Sequence, residues 1–180
     1  GIWNDYLIVG GPFASKAYMF ERSGGTWSEV AFLTYPGISW LDRAAPVSID
    51  GTTAVLGAST EDHDEFGEDH LMNSGGAAIF KRNDAGTWYF AQKIVASDRS
   101  AGDHFGISIS ISGDYIAVGA HQDNHDELTE ADLENAGSIY VFELQDDGTF
   151  LEQTKLDASD REIEDQLGIS ISVSGNTLIS

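Results

Sequence analysis

Two loops hold the residues best suited to chemistry. STEDHDEFGEDH (Ser59–His70) and QDNHDELTEADLE (Gln122–Glu134) each carry six carboxylates. Hard cations take about six to eight oxygen ligands, and clustered carboxylates in a loop can supply them, so calcium is the cofactor this composition points to. Asp62, Asp64, Asp123 and Asp126 are the expected ligands, with Glu65 and Glu127 behind them. A second reading competes: without an EF-hand register or an obligatory glycine, the loops are simply solvated acidic surface. His63 and His125 occupy equivalent places, each followed by aspartate. A transition-metal centre needs convergent ligands that nothing else here demands, so they read as surface histidines.

A further acidic pair, Asp98 with Asp103, recurs as Asp160 with Asp165. Paired carboxylates can hydrolyse glycosides. Residues that recur with each structural unit serve the fold, however, and aspartates cap turns by accepting backbone N–H bonds. No catalytic residue is therefore expected, and the chain is not expected to be an enzyme. Phosphate loop, Gly-x-Ser-x-Gly elbow and HExxH are all absent. Trp27, Trp88 and Phe150 each follow Gly-Thr; packing between neighbouring units is the default reading, and a stacking platform for sugars is the alternative.

Something must position these residues, and it is a repeat. A shift of 62 residues lays Arg43–His104 on Phe105–Gln166 without a gap. IDGTTAVLGA (Ile49–Ala58) falls on ISGDYIAVGA (Ile111–Ala120), and AQKIVASDRSAGDHFGISISISG (Ala91–Gly113) falls on QTKLDASDREIEDQLGISISVSG (Gln153–Gly175). A worn copy occupies residues 1–42 and the beginning of another residues 167–180, giving expected units of 1–42, 43–104, 105–166 and 167–180. In ISISIS the isoleucines Ile107, Ile109 and Ile111 lie on one strand face and the serines on the other. Ser112-Gly113-Asp114 turns the chain into a second strand. Four strands are predicted per unit: Gly106–Ile111, Tyr115–Ala120, Gly137–Glu143 and Phe150–Leu156 in the best copy. The small serines would let neighbouring strands approach closely, and Phe105 and Leu167 would pack between units.

A four-stranded unit of this length fits a propeller blade better than a solenoid coil. The expected fold is all-β, a β-propeller of four-stranded antiparallel blades. About three blades are visible, as part of a larger, roughly seven-bladed ring. Both ends, GIWNDYLIVGG and VSGNTLIS, read as strand interior, so a piece of a longer chain is expected.

Charge narrows the partners. The net charge of −21, from 30 acidic and 9 basic residues, opposes nucleic acid and anionic membranes. No cysteine is present, which excludes disulfides and thiolate chemistry. No apolar run approaches the length of a membrane span, so membrane insertion is not expected.

The run Ala96–Ala120, the variable acidic loop after it, and GSIYVFELQDDGTF (Gly137–Phe150) together resemble the FG-GAP repeat, which builds the integrin α-subunit propeller and many microbial and algal extracellular proteins. Phe105-Gly106 is the FG pair. The GAP element stands as Gly119-Ala120-His121, Gly57-Ala58-Ser59 and Gly10-Gly11-Pro12, while Arg43-Ala44 replaces Phe-Gly in the earlier copy. Integrin-type blades carry an Asp-x-Asp-x-Asp-Gly-x-x-Asp calcium loop just before the GAP element. Here the tight turns Asp50-Gly51-Thr52 and Ser112-Gly113-Asp114 stand in that place, so the family's calcium ligands do not carry over. The resemblance implies an extracellular or cell-surface module for adhesion, binding or scaffolding. Its ligand would be a protein or glycan on a propeller face, with calcium assisting and self-association into a larger assembly open. The alternatives are an accessory or catalytic propeller of a polysaccharide-active enzyme, and a structural subunit of a surface filament.

Overall fold

A computed structural model describes residues 1–11, 16–34, 46–125, 133–175 and 177–180. The described elements are all strands. β1 (Ile2–Trp3), β2 (Tyr6–Gly11), β3 (Lys16–Ser23) and β4 (Thr26–Thr34) form a first sheet. The second comprises β5 (Val47–Asp50), β6 (Thr53–Ala58), β7 (Gly76–Arg82) and β8 (Trp88–Ile94). In the third, β9 (Ser108–Ser112), β10 (Tyr115–Ala120), β11 (Ser138–Leu144) and β12 (Phe150–Leu156) follow in the same order. A hairpin of β13 (Ser172–Ser174) and β14 (Thr177–Ile179) comes last. Each sheet is antiparallel with its strands in sequence order, the form of a propeller blade.

The 62-residue period is kept to the residue: β6, β7 and β8 map onto β10, β11 and β12 with identical bounds. Even the irregularities repeat. The third and fourth strands of the three sheets slip register at Met19/Phe20, Ile79/Phe80 and Val141/Phe142. A bulge at that point bends the outer strand and raises the local twist of each sheet.

Sheets stack face to face, which is why the middle strands are apolar almost throughout. In β6, Ala54, Leu56 and Ala58 join Ile8, Met19 and Leu33 of the first sheet in one core. Val55, on the opposite face, joins Phe105, Ile109, Ile111 and Tyr140 of the third in another. A strand buried on both faces cannot alternate apolar with polar.

Phe105 has no exposed surface and meets Tyr140 and Phe142 edge-on, at ring separations of 5.4 and 6.0 Å. The FG and GAP elements of successive sheets touch here. A Cβ on Gly57 would lie 2.2 Å from the carbonyl oxygen of Gly106, and one on Gly119 would lie 1.9 Å from that of Gly168. These glycines are required by the approach of two backbones.

The serine face does more than stay small. Ser48 Oγ accepts the Ile111 N–H at 3.2 Å, and one period later Ser110 Oγ accepts that of Val173 at 3.0 Å. Asp50 Oδ2 and Ser112 Oγ accept the N–H groups of Gly113 and Gly175 at 2.7 and 3.1 Å. The first strands of neighbouring sheets are thus stitched by side chains.

Of the three aromatics after Gly-Thr, Phe150 is buried and Trp88 half-buried against the cores, whereas Trp27 remains 36% exposed with Arg22 over its ring.

Candidate functional site

The two acidic loops spring from equivalent ends of β6 and β10 and return at β7 and β11. Their inner carboxylates do the same work. Glu61 Oε1 accepts the His63 N–H at 2.9 Å, and Asp123 Oδ1 accepts the His125 N–H at 2.8 Å. Both are nearly shut off from water, at 4% and 2% exposure. A buried carboxylate needs a cationic partner, and the fourth strand of the same sheet supplies it. Lys93 Nζ lies 3.3 Å from Glu61 and donates to the His63 carbonyl at 2.9 Å. Lys155 Nζ lies 2.6 Å from Asp123 and donates to the His125 carbonyl at 3.1 Å.

An arginine from the connection to the next sheet completes each clamp. Arg99 Nη2 donates to the Asp62 carbonyl at 2.9 Å and to Ser74 Oγ at 2.8 Å. Arg161 donates to the carbonyls of His125 at 2.6 Å and Asp123 at 3.2 Å. The base of each loop is also closed. Asp62 Oδ1 accepts the Asn73 N–H at 2.7 Å, matched by Asn124 Oδ1 on the Asn135 N–H at 2.7 Å.

The third sheet adds a second carboxylate. Asp98 Oδ2 lies 2.7 Å from Lys155 Nζ, and Tyr140 OH donates to Asp98 Oδ1 at 2.7 Å and Asp123 Oδ2 at 3.0 Å. Burial pulls the Lys155 ammonium down, but the bonds from Asp123 and Asp98 outweigh it and hold its pKa above the ordinary value. Lys93 goes the other way. Burial lowers its pKa, and the pairing with Glu61 and the charge of Asp64 only partly offset this. For Asp98, burial is outweighed by the Lys155 and Tyr140 bonds, so the carboxyl titrates below its usual range. Burial, then the facing Asp123 and Asp98 charges, push the Tyr140 hydroxyl far up, so it stays a donor. Asp103, 3% exposed beside this group, is pushed to about 7, chiefly by burial.

The expected calcium ligands are placed as follows. Asp62 also faces His70 Nε2 at 3.3 Å, and Asp64 Oδ1 accepts the N–H groups of Phe66 and Glu68 at 3.1 and 2.8 Å. Glu65 lines an open groove with His63, Phe66, Phe90 and Lys93. Asp123 is held by Lys155, and Asp126 and Glu127 lie outside the described residues. Among the described residues, no group of three or more histidines and carboxylates is arranged to hold a metal ion. Of the described members, Asp62 and Asp64 accept backbone N–H groups and Asp123 is paired with a lysine.

Asp103 Oδ2 accepts the Ser100 N–H at 2.5 Å and Asp165 Oδ2 that of Glu162 at 2.6 Å, the turn-capping geometry expected of them. Asp98 differs, being committed to Tyr140 and Lys155. His63 and His70 pair across a bridge between the loop's two arms, with rings 5.2 Å apart. The clamping residues Lys93, Lys155, Arg99 and Arg161 were missed in reading the sequence as a source of chemistry. Their signal was present, because each pair recurs at the 62-residue offset.

Residues 88–142 match the family model of the FG-GAP repeat, so the chain carries an FG-GAP repeat. The matched span runs from β8 of one sheet across the junction to β11 of the next, and includes Asp98, Phe105, Gly119 and Asp123. A search of curated proteins gave no match.

Proposed function

We propose that this FG-GAP repeat chain is the binding or scaffolding part of an extracellular β-propeller, engaging a protein or glycan through the loops that follow its second strands. The observation that carries the reading is Phe66, 77% exposed in a loop whose base is clamped by Lys93 and Arg99. A loop fixed by buried charge presents its outer residues without a large ordering cost on binding. Phe66 shares a groove with Phe90, itself 43% exposed, and with Glu65 and His63. An aromatic beside polar groups suits a sugar face or an apolar side chain of a protein. In this reading Lys93, Lys155, Asp98 and Asp123 hold loops and sheets together and take no catalytic step. No helix in the described residues is long and apolar enough to cross a membrane.

The experiment is surface plasmon resonance of the protein against a panel of neutral and acidic polysaccharides and extracellular-matrix proteins, compared with Phe66→Ala. The reading expects saturable binding to at least one of them, weakened about tenfold or more by the substitution with an unchanged melting temperature. No binding in the panel, or equal binding by the variant, overturns it.

A further inference from the structure

We propose that Asp98 and Asp123 form a cation cradle that the chain fills with its own Lys155 ammonium, so that the anchoring of Asp123–His125, where the second acidic loop begins, does not depend on calcium. This stands independently of what the loops bind. Four oxygens gather at the site: Asp123 Oδ2, Asp98 Oδ2 and the His125 carbonyl lie 2.6, 2.7 and 3.1 Å from Nζ, and Tyr140 OH bridges the two carboxylates. The Lys155 side chain is 1% exposed, and Asp123 and Asp98 are 2% and 24% exposed. Two carboxylates sharing one donor in so dry a place repel each other unless a cation sits between them. An all-oxygen set of this kind is what a hard divalent ion prefers. Here an ammonium on a four-carbon stem takes that place.

The lysine's origin gives the arrangement its consequence. Lys155 comes from β12 and Asp123 from the loop after β10 of the same sheet, whereas Asp98 comes from the connection leaving β8. One ammonium therefore holds the first residues of the loop and joins two sheets. In the preceding sheet Lys93 likewise holds Glu61 and the His63 carbonyl.

Three measurements test this. Amide hydrogen exchange at His125, whose N–H is bound to Asp123, should be the same in EGTA as in millimolar calcium; faster exchange in EGTA overturns the proposal. Lys155→Ala empties the cradle and should lower the melting temperature by about 10 °C or more. Calcium should then recover much of the loss, and terbium should give tyrosine-sensitised emission through the adjacent Tyr140. Lys155→Met, whose side chain fills the space, should be rescued by neither ion. If Lys155→Ala gains no calcium response, or Lys155→Met gains the same one, the cradle reading fails. Should both variants fail to fold, the exchange measurement on the unaltered protein still decides.

Discussion

Ser110 Oγ accepts the backbone N–H of Val173 at 3.0 Å, tying the first strand of one sheet to the first strand of the next. Ser48 and Ile111 make the same bond one period earlier. The inner hairpins are therefore held by directed hydrogen bonds as well as by apolar packing.

Ser110→Ala removes the acceptor and leaves the Val173 N–H to find water. A loss of about 1–2 kcal/mol is expected by denaturant titration, with faster amide exchange at Val173 and little change at Tyr115–Ala120. Uniform acceleration across the third sheet would show that the bond is not local to the junction.

Phe105→Ala empties a fully buried ring position between the second and third sheets. Its expected cost is about 3–5 kcal/mol, and Phe105→Leu should cost clearly less because it keeps most of the volume. A cost below about 1 kcal/mol for the alanine variant would contradict the packing described here.

Gly119→Ala tests the backbone contact between the GAP and FG elements. The added methyl would sit 1.9 Å from the Gly168 carbonyl oxygen, a main-chain atom that cannot swing aside. Gly113→Ala is the control: it has open space but a φ of +58°, and should cost about 1 kcal/mol. Gly119→Ala should exceed that severalfold, read by thermal unfolding. Equal effects would mean that the sheets can part without penalty.

Asp103 sets a pH dependence of unusual sign. Its folded-state pKa is raised from 3.8 to about 7, chiefly by burial and further by the facing Asp123 and Asp98 charges, with the Ser100 N–H bond and, less strongly, Lys155 opposing. The folded protein binds the proton more tightly than the unfolded chain, so this group favours folding fully below about pH 4. It loses that contribution as pH rises through about 7. Asp103→Asn can still accept the Ser100 N–H and does not ionise. Its stability relative to the unaltered protein should rise between pH 4 and pH 8, by a few kcal/mol at most. The difference between the two proteins is the quantity to follow, since the depressed Asp98 carboxyl gives both the ordinary loss in acid. A difference independent of pH would refute the assignment.

Much of this was written in one dimension. The 62-residue offset, the alternation of Ile107–Ser112 and the turn at Ser112-Gly113-Asp114 determined the strands, because period-2 patterning and turn chemistry are local. Phe105 and Leu167 could be read as contact points because they begin the inner strands, whereas the press of Gly57 and Gly119 on facing carbonyls became visible only in the structure. The acidic loops were legible as a feature, but the partners of their buried carboxylates were not. Six carboxylates in one loop suggest a cation, and sequence does not say where the cation comes from. Only the tertiary structure decided that Asp98 and Asp123 meet on Lys155, which lies 57 residues from the first in the chain. The stacking of one sheet on the next brings them within 3 Å of one ammonium, and together their hydrogen bonds outweigh its burial and hold its pKa above the ordinary value.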